Sequence, residues 1–140
     1  MERTGADVDA FLDGLPEPRR HELRTLDALI VERLGGRERE LWEGTFWSGT
    51  EQQIIGYARI EQSRPKGQPV EWFLIGLAVQ KQHISVYVNA AGDGGYLTKA
   101  FADRLGRVKV GAASVTFTSL DRLDLVGFGA LLDAALDTLD

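Results

Sequence analysis

The chain's 140 residues fit one ordinary domain, read as spanning residues 1–140, and leave no room for a second core of useful size. Hydrophobic residues at 44% and charged residues at 26% exclude global disorder and a fibrous architecture. The absence of cysteine excludes disulfides, thiolate nucleophiles and cysteine-ligated zinc or iron–sulfur centres, and the net charge of −5 disfavours a nucleic-acid partner.

The opening residues Met1-Glu-Arg-Thr-Gly-Ala-Asp7 are polar and acidic where a secretory leader is basic and then apolar, so a cytoplasmic location is expected. Val8, Phe11, Leu12 and Leu15 recur at helical spacing, with Asp7 as the expected N-cap. Pro18 then opens a longer helix whose stripe is Leu23, Leu26, Leu29, Ile30 and Leu34, stopped by Gly35-Gly36. From Leu41 the period changes to two, which predicts strands near 41–47, 54–60, 71–79 and 83–89. The connections Ser48-Gly49-Thr50, Ser63 to Pro69 and Val79 to His83 are short enough for antiparallel neighbours. A turn at 90–95 leads to a short helix on Tyr96, Leu97, Ala100, Phe101 and Leu105, ending at Gly106. A last strand at 114–118 precedes a helix capped by Asp121 or Asp124, with Leu125, Phe128, Leu132, Leu136 and Leu139 on one face. The order α-α-β-β-β-β-α-β-α predicts an α+β fold: an antiparallel sheet of about five strands with helices packed on one face.

The charge is uneven, at −5 over residues 1–51, +4 over 52–109 and −4 over 110–140, with the basic groups of the middle spread over several elements. No nucleic-acid surface is expected from that spread. The longest apolar run, Phe73 to Val79, is far shorter than the about 20 residues a membrane-spanning helix needs. His21-Glu22-Leu-Arg-Thr25 begins like a zinc-protease helix but has threonine where the second histidine belongs. Gly92-Asp-Gly94-Gly95 lacks the lysine and hydroxyl residue of a phosphate loop, and Ser85 and Ser114 lie within strands rather than on a nucleophile elbow. Asp133, Asp137 and Asp140 align beside the apolar stripe of the last helix, a pattern that fits a solvated face and also a cation ridge.

Alternation places Lys81, His83, Ser85, Tyr87 and Asn89 on one strand face and Gln82, Ile84, Val86 and Val88 on the other, against the helices. The polar set suits a ligand groove, with Lys81 drawing an anion and His83 or Tyr87 donating hydrogen bonds. Trp42, Trp47, Tyr57 and Trp72 stand on neighbouring strands, and large aromatics are poor choices for a plainly solvated surface. The strand Phe73–Val79 is apolar on both faces and therefore needs cover on both, from helix, ligand, loop or a second subunit.

Several segments together carry a likeness: Val8-Asp-Ala-Phe-Leu-Asp-Gly-Leu-Pro16, Leu41-Trp42, Gly76-Leu-Ala-Val-Gln-Lys81-Gln-His83-Ile-Ser-Val-Tyr87, Leu105-Gly106, Val115-Thr-Phe117 and Ser119-Leu-Asp-Arg-Leu-Asp124-Leu. In these the chain resembles the DUF1801, or YdhG-like, family of small bacterial proteins over nearly its whole length. The resemblance implies an α+β domain with an antiparallel sheet, and admits iron handling, because some members of that family are described as frataxin-like iron chaperones. Where the family often has Trp-Gly-x-Pro, this chain has Trp42-Glu-Gly-Thr-Phe-Trp47.

Three functions compete. The first is a non-enzymatic domain binding a small molecule or a protein partner through Lys81, His83, Ser85, Tyr87, Trp42, Tyr57 and Trp72. The second is an iron chaperone using carboxylates such as Glu38, Glu40, Glu43, Asp133 and Asp137. The third is an enzyme with His83 as acid or base beside Lys81 and with Tyr87 orienting substrate. A homodimer competes for the same open face.

Overall fold

A computed structural model describes residues 1–45, 51–62, 67–92 and 95–139. The chain forms β1 (Glu2–Arg3), α1 (Val8–Asp13), α2 (Arg19–Val31), β2 (Arg39–Thr45), β3 (Glu51–Gln62), β4 (Val70–Val79), β5 (Ile84–Val88), β6 (Ala91–Gly92), β7 (Gly95–Tyr96), α3 (Leu97–Ala100), β8 (Lys109–Val110), β9 (Ser114–Phe117) and α4 (Leu125–Asp137). One-turn 3-10 helices occupy Ala102–Arg104 and Leu120–Arg122. The main sheet is wholly antiparallel, in the order β1-β2-β3-β4-β5-β9-β8, and β6 and β7 form a separate hairpin.

The α+β class and the antiparallel sheet agree with the sequence reading. The count of about five strands and the stated element order do not: the sheet has seven strands. Its added edges are β1, paired with Trp42 and Glu43, and β8, paired with Val115 and Thr116. Two-residue strands are too short to show an alternation, and the register of a neighbour recruits them. The expected connections at 48–50 and 63–66, together with Trp47, Asp93, Gly94 and Asp140, lie outside the described residues.

The helices begin where their caps dictate. The Asp7 carboxylate accepts from the Asp9 amide at 2.9 Å, and Asp124 accepts from the amides of Val126 at 3.0 Å and Gly127 at 3.1 Å. Asp124, not Asp121, is therefore the cap of α4. Leu23, Leu26 and Ile30 of α2 join Phe128, Leu131, Leu132 and Leu136 of α4 and Val8 and Leu12 of α1 in one core. Each such side chain contributes about 1.5–3 kcal/mol relative to staying exposed. Leu125 and Leu139, expected on the buried stripe, stand at the helix ends and remain exposed. At Gly127 a methyl group would collide with the Arg104 carbonyl oxygen, so α4 seats directly on the turn that follows α3.

The sheet meets this core with Leu41, Ile55, Tyr57, Ile75, Leu77, Ile84, Val86, Val88, Val115 and Phe117. All four helices contribute to that side. Its opposite, outer face carries two rows set by register. One runs Trp42, Ile54, Ala78, Ser85, Thr116, Lys109, and the next runs Glu40, Gly56, Gly76, Tyr87, Ser114.

The alternation switches once, at Ala58, which takes a left-handed φ of 62°. Tyr57 and Ala58, and opposite them Leu74 and Ile75, all join the helix-side core. Beyond that point Arg59 and its cross-strand partner Phe73 turn outward, Arg59 onto Glu40. Phe73 thereby enters a second, smaller cluster with Trp42, Ile54 and Ala78, against which Met1, Trp72 and Tyr87 pack. The cover that the doubly apolar β4 requires on its outer side comes from the chain's own aromatic rings.

Candidate functional site

The outer face divides into an aromatic part and a polar part. In the aromatic part, Trp72 stacks on Phe73 with ring centroids 4.6 Å apart, and Trp42 meets both edge-on at 5.7 and 5.5 Å. These rings lie over the cross-strand pair Gly56 and Gly76. A Cβ at Gly56 would come within 2.6 Å of Trp42 Nε1, and one at Gly76 would collide with the Phe73 ring. The two glycines make room for the rings. Trp42 is buried, and its Nε1 has no hydrogen-bond partner among the described residues.

The polar part is built around Gln80. The main chain turns through Lys81 and Gln82 as a two-residue hairpin loop closed by the bond from Gln80 N to His83 O at 2.8 Å. Gln80 and His83 thus face each other, and the parity of the strands turns both outward. Gln80 Nε2 donates to Gln52 Oε1 at 3.2 Å and, weakly, to the Tyr87 hydroxyl at 3.4 Å, which uses both amide hydrogens. Ser85 Oγ donates to Gln80 Oε1 at 2.8 Å. Having spent its proton there, Ser85 is the acceptor in its 3.3 Å contact with Thr116 Oγ1. The network joins β3, β5 and β9 through Gln80 at the start of the hairpin loop, with neutral groups alone.

Above it lies a concavity of about 1070 Å³ lined by Gln52, Gln80, His83, Ser85, Tyr87 and Thr116, among others. A smaller one of about 610 Å³ adjoins it, sharing His83, Ser114 and Thr116 and adding Arg107, Lys109 and Arg122. A third, of about 790 Å³, lies at the β1 edge beside Trp42 and Trp72, where Arg3 bridges Glu40 and Glu71.

The residues expected from the sequence are therefore distributed as follows. His83, Ser85 and Tyr87 line the polar groove together. Lys81 also borders it, but from the exposed tip of the hairpin rather than from a strand position. Asn89 lies just past the end of β5 and donates Nδ2 to the Phe73 carbonyl at 2.9 Å. Trp42 and Trp72 belong to the aromatic cluster, and Tyr87 packs its ring on that cluster while its hydroxyl reaches the network.

Tyr57 is a correction. It points to the helix side, is fully buried, and donates its hydroxyl to Asp27 Oδ1 at 2.7 Å. Burial first, and then the Asp27 carboxylate, push its phenol well above the ordinary range. Asp27 also accepts from Arg39 at 2.6 Å, and Arg39 reaches Asp9 at 2.8 Å. This is a strut between α1, α2 and the sheet, with no access to the outer face.

His83 and Tyr87 are four strand positions apart, about 13 Å along the backbone. The imidazole has no hydrogen-bond or ionic partner among the described residues, so no group there orients it for acid–base work. Three of the carboxylates weighed for iron are held by other partners. Glu40 is held by Arg59 and Arg3, Glu43 by Gln53, and Asp133 by Arg33 Nε at 3.0 Å, while Asp137 stands exposed. No group of three or more metal-ligating side chains gathers among the described residues.

Gln52, Gln80 and Thr116 were missed by the sequence reading. Their signal was present in the strands: with Val79 opposite Ile84, the hairpin register sets Gln80 against His83, and counting back across β3 adds Gln52. Among the described residues no helix is long and apolar enough to cross a membrane. No family model, curated protein or solved structure matches the chain.

Proposed function

We propose that the chain is a non-enzymatic binding domain of the cytoplasm that takes a small polar ligand in the groove over Gln52, Gln80, Ser85, Tyr87 and Thr116, with His83 at its rim. The observation that carries this reading is the neutral network itself. Amide and hydroxyl groups from three strands and the Gln80 hairpin converge beneath a concavity of about 1070 Å³ that Phe11 and Leu15 also line. Side chains fixed by one another across the sheet present acceptor lone pairs and the Gln52 amide hydrogens at set positions, which suits a ligand with several polar atoms. The resemblance to the DUF1801 family is compatible with such a role.

The test is an amide-shift NMR titration of the purified protein with nucleosides, sugars and amino acids. Shifts gathered on residues 80–87 and 114–116 support the reading, and shifts absent there or confined to the helix side reject it. Sedimentation equilibrium separates the competing occupant of the same face: a dimer that Tyr87→Arg dissociates would assign the groove to a second copy.

A further inference from the structure

We propose that the groove has an oxyanion seat at its β8–β9 end, formed by Arg107, Lys109 and Arg122, and that the ligand places a phosphate or carboxylate group there; this rests on the groove being a ligand site.

Arg3, Arg19, Arg24, Arg33, Arg39 and Arg59 each hold a carboxylate. Among the described residues Arg107, Lys109 and Arg122 form no salt bridge, although the chain carries five more acidic than basic groups. In an acidic protein, three cations gathered around one concavity without a salt-bridge partner leave a local positive field that an anion satisfies. Asp121 is a carboxylate of the same segment as Arg122. It is bound by the Ser119 hydroxyl, which first lowers its pKa, and Arg122 and Arg107 contribute at longer range. Asp121 is coupled to two of the three cations, and Lys109 adds a further positive charge to the same concavity.

The backbone sets these cations in place. Gly106 bridges to Leu123, Arg107 N donates to Arg122 O at 2.8 Å, and Asp124 N donates to Leu105 O at 2.9 Å. Gly106 has a φ of 92°, and a Cβ there would sit 2.5 Å from the Arg122 carbonyl oxygen, so glycine is what lets the two arginine-bearing segments lie side by side. Lys109 is fixed opposite Thr116, the last member of the neutral network. Two guanidinium forks and one ammonium beside the Ser114 and Thr116 hydroxyls suit a group with several equivalent oxygens. The same concavity shares His83, Ser114 and Thr116 with the polar groove, so one small molecule can span both.

The test is an NMR titration with inorganic phosphate and, separately, acetate, at low and at raised potassium chloride. Saturable shifts at Arg107, Lys109, Ser114, Thr116 and Arg122 that weaken with salt support the seat, and the tighter of the two probes assigns the oxyanion. Replacing Lys109→Gln together with Arg122→Gln is expected to raise the apparent dissociation constant about tenfold with the spectrum still folded. Lys99→Gln, an exposed cation on α3, should leave it unchanged. No saturable response to either probe, or a response that survives the double substitution, overturns the seat. Nucleosides, sugars and amino acids still shifting residues 80–87 would then leave the groove standing, whereas silence there as well would remove both. A single-stranded oligonucleotide binding far more tightly than phosphate would overturn the small-ligand assignment.

Discussion

Tyr57 donates its hydroxyl to Asp27 Oδ1 at 2.7 Å, tying the buried side of β3 to α2. Tyr57→Phe should leave a buried carboxylate oxygen without that donor and cost about 1–3 kcal/mol in urea unfolding, with the outer-face titration unchanged. The raised phenol adds a pH signature. Its stabilisation is complete below the ordinary tyrosine value and is lost as pH climbs through the higher folded one, so the alkaline decline of the wild type should be steeper than that of Tyr57→Phe.

Ser85 is the hinge of the neutral network, donating to Gln80 and accepting from Thr116. Ser85→Ala removes both functions at a buried position, and a loss of about 1–2 kcal/mol is expected in equilibrium unfolding. The Gln80 side-chain amide resonances should broaden or move in the same protein, because that amide loses the partner fixing its orientation. An unshifted Gln80 would show that its other contacts suffice.

A methyl group at Gly76 has no space beneath the Phe73 ring. Gly76→Ala should destabilise by about 1–3 kcal/mol through overpacking. Tryptophan fluorescence and near-ultraviolet circular dichroism should change with it, since Trp42 and Trp72 both rest on Phe73.

Glu40 is held below the ordinary glutamate range, first by its hydrogen bond from Arg59, with Arg3 adding to it. A lowered folded pKa means that this stabilisation is present above the unfolded value and disappears as pH falls through the folded one. Because the pair is partly exposed, the effect is within about 1 kcal/mol. Thermal melts of the wild type and Glu40→Gln should differ near neutrality and converge in acid, and added salt should narrow the gap at neutral pH.

What could be read directly from the chain was whatever a period reveals. The stripe Leu23, Leu26, Ile30 and the cap Asp7 were legible because each is a local pattern with a local cause, while the cap of α4 was narrowed only to Asp121 or Asp124. The inward set Ile84, Val86 and Val88 was equally plain, and with it the outward His83, Ser85 and Tyr87. The position of Tyr57 was not: alternation alone does not say which of its two faces meets the helices, and the deciding partner, Asp27, is thirty residues away on α2. The left-handed turn of backbone at Ala58 was invisible for a different reason, since alanine carries no sign of that conformation as glycine would. Arg107 and Arg122 came together through a bridge between segments fifteen residues apart, which no spacing rule announces.

The tight seating of α4 on the Arg104 carbonyl has a consequence for association. The stretch from Leu105 to Asp124 is tied at its start by the bridge to Leu123 and at its end by the bond from Asp124 N to Leu105 O, beside a helix in close contact with Arg104. Whatever meets Arg107 and Arg122 encounters main chain already hydrogen-bonded in the fold. The entropy lost on contact is then confined to a few side-chain rotamers, about 0.5–1.5 kcal/mol for each one stilled.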